Sequence, residues 1–342
     1  VNTNQLNTIT DSFGWTNVHS STITSGLINH TWKIQADQGE FILQRINTNI
    51  FASPEKIDAN IGMIAAYLAA SSADYLFTIP VIAKTNSRLV IQNNLAYRAF
   101  NFIPNTKTIS VVETAHQAKE AAQTFAKFTK ALIDFPIDQL HTTLPDFHQL
   151  NLRYQQFEKA VQSNNTDRIN QSKTIILALE KQKNIVHQFN QFIKNNDAHR
   201  RVMHHDTKIS NILFDEKGKG LCVIDLDTVM PGFLFSDVGD MFRTYISPVS
   251  EEEQNLDKIE VRKDFVEAIY EGYTSELKDD ITAFELDHFY LCGEILIYMQ
   301  AIRFLTDYLQ NDIYYGKKYP DQNLVRALNQ YRLLELFQAS IH

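Results

Sequence analysis

The run His204-His205-Asp206-Thr207-Lys208-Ile209-Ser210-Asn211-Ile212-Leu213-Phe214, followed shortly by Ile224-Asp225-Leu226-Asp227, decides how this chain is read. Its polar residues share one chemistry. The Asp206 carboxylate can take the proton of a substrate hydroxyl. The amide oxygen of Asn211, five residues on, and the Asp225 carboxylate are the hard oxygen ligands that a Mg²⁺ bridging ATP phosphates requires. The spacing therefore predicts phosphoryl transfer from ATP, with Mg²⁺ as cofactor and Asp206, Asn211 and Asp225 at its centre. Short apolar strands at 212–214 and 221–224, and a helix ending near Asn196, would brace this loop on rigid elements. The adjacent His204 and His205 invite a zinc reading, but no Cys or third His stands at ligand spacing.

Outward from the run, the beginning of the chain is strand-rich and the remainder helix-rich. Residues 18–24, 30–35 and 40–46 read as strands, with Asp37-Gln38-Gly39 as turn chemistry between the second and third. Ser53-Pro54-Glu55 starts a helix, with Ser as N-cap, Pro in the first turn and Glu near the positive dipole end. Ile57, Ile61, Ile64 and Leu68 continue it at spacings of three and four. Thr78–Ile82 and Leu89–Ile91 alternate like strands, and Arg98–Ile103 extends to Pro104. Helices are expected from Val111 to Leu132 and at about 151–163, 168–195, 262–275, 282–310 and 322–339.

Composition narrows the class. A chain of 342 residues can bury a large core or form two lobes. Its net charge of −8 is concentrated in residues 251–342, which hold eighteen Asp and Glu against nine Lys and Arg. That distribution argues against nucleic acid as a partner. It suits either a solvated acidic surface or a cationic substrate. Cys222 and Cys292 lie in apolar stretches and read as small core residues, which points to a reducing compartment and a cytoplasmic location. Val1–Gln5 has neither a basic nor an apolar leader region, so no secretory signal is expected. No apolar run reaches bilayer length, so no membrane partner is expected either.

With these residues in view, the chain resembles the aminoglycoside phosphotransferase and choline kinase superfamily, and within it the N-acetylhexosamine 1-kinases. The likeness rests on Leu43-Gln44-Arg45-Ile46-Asn47-Thr48-Asn49, Pro145-Asp146-Phe147-His148, the run from His204 to Asn211, Val223 to Gly232, Asp237-Val238-Gly239-Asp240, and Arg303 to Tyr308. It spans about residues 25–316. The resemblance implies an α+β, bilobal protein-kinase-like fold. Residues 1–103 would form a small antiparallel-sheet, nucleotide-binding N-lobe with a hinge near 100–103. Residues 104–342 would form a mostly helical catalytic and substrate-binding C-lobe.

It also implies roles. Asp206 would be the base and Lys208 would contact the transferred phosphoryl group. Asn211 and Asp225 would hold the metal, with Asp227, where D-F-G has glycine, adding a direct or indirect contact. Gly26, Asn29 and His30 would cover the phosphates. Arg45 would stand where kinases carry their phosphate-pairing lysine, with Leu43 against adenine and Phe100 and Phe102 in the hinge. Glu55 and Asp58 are the candidate carboxylate partners of Arg45. His204, Asp237 and Asp240 would support the loop. Arg303 and Tyr314 would hold a small-molecule sugar, although Asp307, four residues after Arg303, could instead pair with it. The expected reaction is phosphorylation of the anomeric hydroxyl of an N-acetylhexosamine. A kinase of a cationic small molecule and a non-catalytic nucleotide-binding scaffold are the alternatives. A protein kinase is disfavoured because no A-P-E segment follows Asp225.

Overall fold

The computed structural model describes residues 3–24, 28–71 and 75–341. Helix α1 (Thr3–Ser12) precedes strands β1 (His19–Ile23), β2 (His30–Ala36) and β3 (Gly39–Arg45). Helix α2 (Pro54–Ala70) follows, then β4 (Leu89–Gln92) and β5 (Leu95–Asn101). Helices α3 (Ala115–Ala131), α4 (Leu150–Val161), α5 (Thr166–Gln171), α6 (Lys173–Lys181) and α7 (Asn184–Lys194) lead to β6 (Arg201–Met203). Strands β7 (Ile212–Phe214), β8 (Gly220–Val223) and β9 (Met230–Gly232) come next. The chain ends in α8 (Leu234–Tyr245), α9 (Lys263–Leu277), α10 (Ala283–Asp287), α11 (Phe289–Leu309) and α12 (Gln322–Ile341). Among the described residues no helix is long and apolar enough to cross a membrane.

The chain divides into two units. The sheet unit comprises Val1–Ser110, Ala131–Pro145 and Ser210–Pro231; the helical unit comprises Val111–Lys130, Asp146–Ile209 and Gly232–His342. The sheet unit thus recruits the β7–β8 hairpin from late in the chain.

Five antiparallel strands in the order β1-β2-β3-β5-β4 form the main sheet of the first unit. Gly39, at φ +133°, lets the chain reverse between β2 and β3, where Ala36 pairs with Gly39. Strand periodicity then sorts the two faces. Trp32, Ile34, Phe41, Leu43, Tyr97 and Ala99 lie on one face and pack with Leu6, Ile9, Phe13 and Trp15 from α1 and the segment after it. Trp15 stacks on Phe41 with ring centroids 4.3 Å apart. Burial of a side chain such as Leu43 here contributes about 1.5–3 kcal/mol. By register, Ile42, Gln44, Arg98 and Phe100 occupy the opposite face.

Two sequence expectations change in this unit. Ser53 stands at the N-cap of α2, but its side chain makes no capping hydrogen bond; Pro54 at the first turn and buried Ile57, Ile61, Ile64 and Leu68 define the helix instead. Thr78–Ile82 is not a strand. It meets β5 at an isolated bridge between Pro80 and Phe100, made by the Val81 N–H to the Ala99 carbonyl (2.8 Å) and the Asn101 N–H to the Ile79 carbonyl (3.2 Å).

In the helical unit, α11 is buried on nearly every side because α4, α8 and α12 all pack on it. The helix expected over 168–195 is three helices, interrupted at Ser172 and at Gln182-Lys183. The one expected over 282–310 is interrupted at His288. Its first turn is a capping box between Thr282 and Glu285. Glu285 is buried, and its carboxylate also takes two bonds from Arg201, at 2.6 and 2.8 Å. Cys222 and Cys292 are both buried, each within its own unit.

Candidate active site

The run from His204 to Thr207 is held by α8. Asp237 accepts from the backbone N–H groups of His204 (3.0 Å) and His205 (2.7 Å), and Asp240 accepts from that of Thr207 (2.8 Å). The Thr207 hydroxyl donates to the Asp237 carbonyl at 2.9 Å, and the Tyr245 hydroxyl donates to the Thr207 carbonyl. Residues three apart share a helix face, so one turn of α8 presents both carboxylates to the loop. His204 is fully buried, with its ring edge-on to Phe125, and its Nδ1 lies 3.4 Å from the Asp206 nitrogen. His205 adopts a left-handed backbone, φ 66°, an uncommon state for a residue with a side chain. Gly232 makes room for the His205 ring, since a Cβ there would lie 2.5 Å from it. Lys208 reaches to within 3.1 Å of Asp206. Burial pulls the Lys208 ammonium down, but the Asp206 and Asp240 charges outweigh it and hold it above its usual range.

Burial raises Asp237 to about 7, more than the two backbone donors can offset. Its folded pKa therefore exceeds the ordinary value of 3.8. Protonation favours the folded chain, and this contribution is complete below the ordinary pKa and lost as pH rises through about 7. We expect the urea midpoint of the native protein to fall more steeply than that of Asp237→Asn between about pH 5 and about pH 8. Parallel slopes would refute the assignment.

In the sheet unit, the β7–β8 hairpin closes the gap between Asn211 and Asp225. Ile212 pairs with Val223, and the Ile224 N–H donates to the Asn211 carbonyl at 2.9 Å. The two predicted metal ligands consequently flank the open end of one hairpin. Asp225 is itself left-handed, at φ 60° and ψ 60°. Asp enters that region more readily than most residues, and here it leads from β8 into the turn at Leu226–Thr228. Their oxygen donors are of the hard type that Mg²⁺ prefers. Among the described residues no cluster of three or more His, Cys, Asp or Glu offers a competing metal site.

The sequence-predicted nucleotide residues are distributed over both sheet faces. Gly26 lies outside the described residues. Leu43 is fully buried in the core beneath α1, and Arg45 shares its face by strand alternation, paired across the ladder with Tyr97. Asp58 pairs with Arg88 at 3.1 Å. Exposed His30 is opposite Arg45 on β2, and partial burial followed by the Arg45 charge lowers its pKa. Phe100 lies on the opposite face, opposite Ile42. The Phe102 N–H donates to the Glu40 carbonyl at 3.0 Å, and its ring lies under the Lys33 ammonium at 3.8 Å.

Asn29 bridges two segments. Its Nδ2 donates to Asp227 at 2.7 Å while its Oδ1 accepts from the Asn47 N–H at 3.0 Å. Asp227 is 1% exposed and forms an ion pair with Arg98. Arg98 was not singled out by the sequence; alternation of Tyr97, Arg98 and Ala99 gave no sign that its guanidinium would be fully buried.

The helical unit contains a cavity of about 260 Å³ lined by residues including Arg153, Gln156, Arg303, Tyr314 and Tyr315. Asp307 does not pair with Arg303. Its two oxygens accept from the backbone N–H groups of Tyr314 (2.7 Å) and Tyr315 (3.0 Å), which fixes the segment carrying both rings. The Arg303 guanidinium lies 5.6–5.8 Å from the ring centroids of Phe147, Tyr314 and Tyr315. Arg153, missed by the sequence reading, donates to the Asp146 carbonyl at 2.8 Å. Burial, then the Arg303 charge, lower its pKa. Burial also holds His148 well below its usual range, reinforced by His205, Arg303, Arg243 and Arg153. A polar chain joins the cavity to the loop. Asp240 pairs with Arg243, Arg243 with Glu251, and Glu251 with Arg326, whose guanidinium lies 5.1 Å from the ring centroid of Tyr315 in the cavity lining.

Residues 19–273 match the sequence pattern of the phosphotransferase enzyme family (APH). The chain belongs to that family. Solved structures share its fold. They include a spectinomycin phosphotransferase bound to ADP and spectinomycin, at 12% identity and a TM-score of 0.64 over 100% of this chain and 99% of that one. A microcompartment-associated aminopropanol kinase matches at 15% identity and 0.61, covering 98% of this chain and 97% of its own. A choline kinase from Cryptosporidium parvum Iowa II matches at 12% and 0.59 with the same coverages. The expected α+β protein-kinase-like fold, an antiparallel sheet followed by a mostly helical portion, is the fold this family member has. The activity that family membership gives it is phosphotransfer.

Proposed function

We propose that the chain transfers the γ-phosphoryl group of ATP to the anomeric hydroxyl of an N-acetylhexosamine, giving the sugar 1-phosphate. The observation that carries the acceptor class is the cavity beside Arg303. Two guanidiniums, Arg153 and Arg303, line it, and among the described residues neither has a carboxylate within ion-pair distance. Asp307 is the one carboxylate in the lining, and its oxygens are taken by the Tyr314 and Tyr315 amides, so the two guanidiniums leave the cavity net positive and disfavour a cationic acceptor. Within the acidic stretch that suggested one, Glu251 is paired with Arg243 and Arg326, and Glu285 with Arg201. Hydroxyl and acetamido oxygens are good acceptors for such donors, and the Tyr314 and Tyr315 rings offer apolar walls to a sugar. At about 260 Å³ the cavity lies below the ~300–1,000 Å³ that encloses drug-sized ligands, which favours one ring over several.

Asp206 orients the acceptor hydroxyl and takes its proton as the oxygen attacks phosphorus, while the bond to the ADP oxygen breaks in line. Lys208, kept cationic, neutralises charge on the transferred group. Asn211 and Asp225 would hold Mg²⁺, which when bound offsets the charge of the ATP phosphates. Asp237 and Asp240 act before the chemistry, by fixing the backbone that presents Asp206.

The test is mass spectrometry of products from ATP with a panel of hexosamines, hexoses, choline and aminoglycosides. A sugar 1-phosphate is expected from N-acetylglucosamine or N-acetylgalactosamine. Loss of the Arg303 hydrogen bonds in Arg303→Ala should raise the sugar KM at least tenfold, about the value of one charged hydrogen bond. Absence of product with every hexose would sink the sugar claim. Phosphorylated choline or aminoglycoside would transfer support to the cationic acceptor.

A further inference from the structure

The positive charge expected on β3 has a better-placed counterpart on β5. Strand alternation puts Arg45 on the face that carries Leu43, and that face is packed under α1. Gln44 occupies the other face. Directly opposite it, Arg98 donates from Nε (3.0 Å) and Nη2 (2.9 Å) to the Gln44 side-chain oxygen. The same guanidinium pairs with Asp227, two residues beyond Asp225, and Asp227 is bonded to Asn29. Arg98 is 2% exposed, yet its Nη1 has no hydrogen-bond partner. A buried guanidinium donor left unsatisfied is costly, and in a nucleotide-binding unit it is a place for an anionic ligand oxygen.

We propose that Arg98 is the cation that meets the nucleotide phosphates in the sheet unit, and that Asp227 is its counter-ion when no nucleotide is bound. The inference rests on the reading of ATP as phosphoryl donor. A neutral Gln44 then has a specific job. It cannot supply the charge that kinases place on β3, but its oxygen fixes the Arg98 fork from two sides. The charge has moved one strand across the sheet and kept its face. Asp227, buried and committed to Arg98 and Asn29, sets where that guanidinium rests and ties it to the segment that carries Asp225.

The experiment compares the affinities for ADP and for adenosine, measured by calorimetry without metal. Arg98→Met alone would leave Asp227 buried beside no cation and endanger folding, so Arg98→Met/Asp227→Asn is measured beside it. ADP affinity should fall about tenfold to a hundredfold in the double variant, the worth of charge-assisted hydrogen bonds, while adenosine affinity stays within about twofold. Arg98→Lys should recover part of the ADP affinity. A merely structural role would weaken ADP and adenosine equally, and that result overturns the proposal. So would a loss of ADP selectivity in Arg45→Met with none in the Arg98 variants. Failure of the native protein to bind ADP or ATP at all would overturn the donor reading and this inference together, whereas native binding with an unaltered double variant would overturn only the inference.

Discussion

Asp206→Asn lowers kcat by about 10²–10⁴, the usual contribution of a positioned general base, and leaves the KM values for ATP and sugar nearly unchanged. The loop that carries Asp206 is fixed from outside. Its backbone is held by Asp237 and Asp240 through the N–H groups of His204, His205 and Thr207. Replacing the Asp206 carboxylate by an amide keeps the shape and should spare the fold, so the loss falls on the chemical step. Lys208, 3.1 Å from that carboxylate, loses its nearest negative charge in the variant. The Lys208 pKa should therefore fall, and residual activity should decline at a lower pH than in the native enzyme. Single-turnover phosphate transfer, followed from about pH 6 to about pH 10, reads both effects. Full activity in Asp206→Asn would remove the base assignment, whatever the acceptor.

What could be read from the sequence follows from which signals are local. The run from His204 to Asp227 carries its own chemistry, and the β7–β8 hairpin that unites Asn211 with Asp225 is announced by two short apolar stretches around a turn. The helix from Pro54 is equally local, with one apolar stripe. Other features depend on partners far away in the chain. Along β3, Phe41, Ile42 and Leu43 are all apolar, so alternation defines two faces without saying which one α1 will cover. That is why Arg45, and not Arg98, stood out. Asp307 sits at helical spacing from Arg303, and only the fold shows that its oxygens are taken by the amides of Tyr314 and Tyr315. Thr78–Ile82 has the composition of a strand, and only the fold shows that it meets β5 at a single bridge.

Gly239 is the position where sequence motif and packing meet most tightly. It lies between Asp237 and Asp240 on α8, and a Cβ there would stand 2.3 Å from the Cys292 carbonyl oxygen and 2.8 Å from the Leu296 side chain on α11. The first obstacle is backbone, which cannot rotate aside. Gly239→Ala must therefore push α8 off α11, at a cost of about 1–3 kcal/mol or more for overpacking. A Tm fall of roughly 2–4 °C per kcal/mol is expected for a unit of this size. The same displacement carries Asp237 and Asp240 away from the backbone they hold. Because a misplacement of about 1 Å can cost about 10²-fold in rate, kcat should fall well beyond what the unfolded fraction explains. Gly218 provides the contrast. It is left-handed, at φ +85°, but nothing lies within 4 Å of a Cβ built there. Gly218→Ala should cost only the backbone strain, about 1–2 kcal/mol, with kcat retained in the folded fraction. If Gly239→Ala matched Gly218→Ala in both Tm and kcat, close approach of α8 to α11 would not be what sets the catalytic loop.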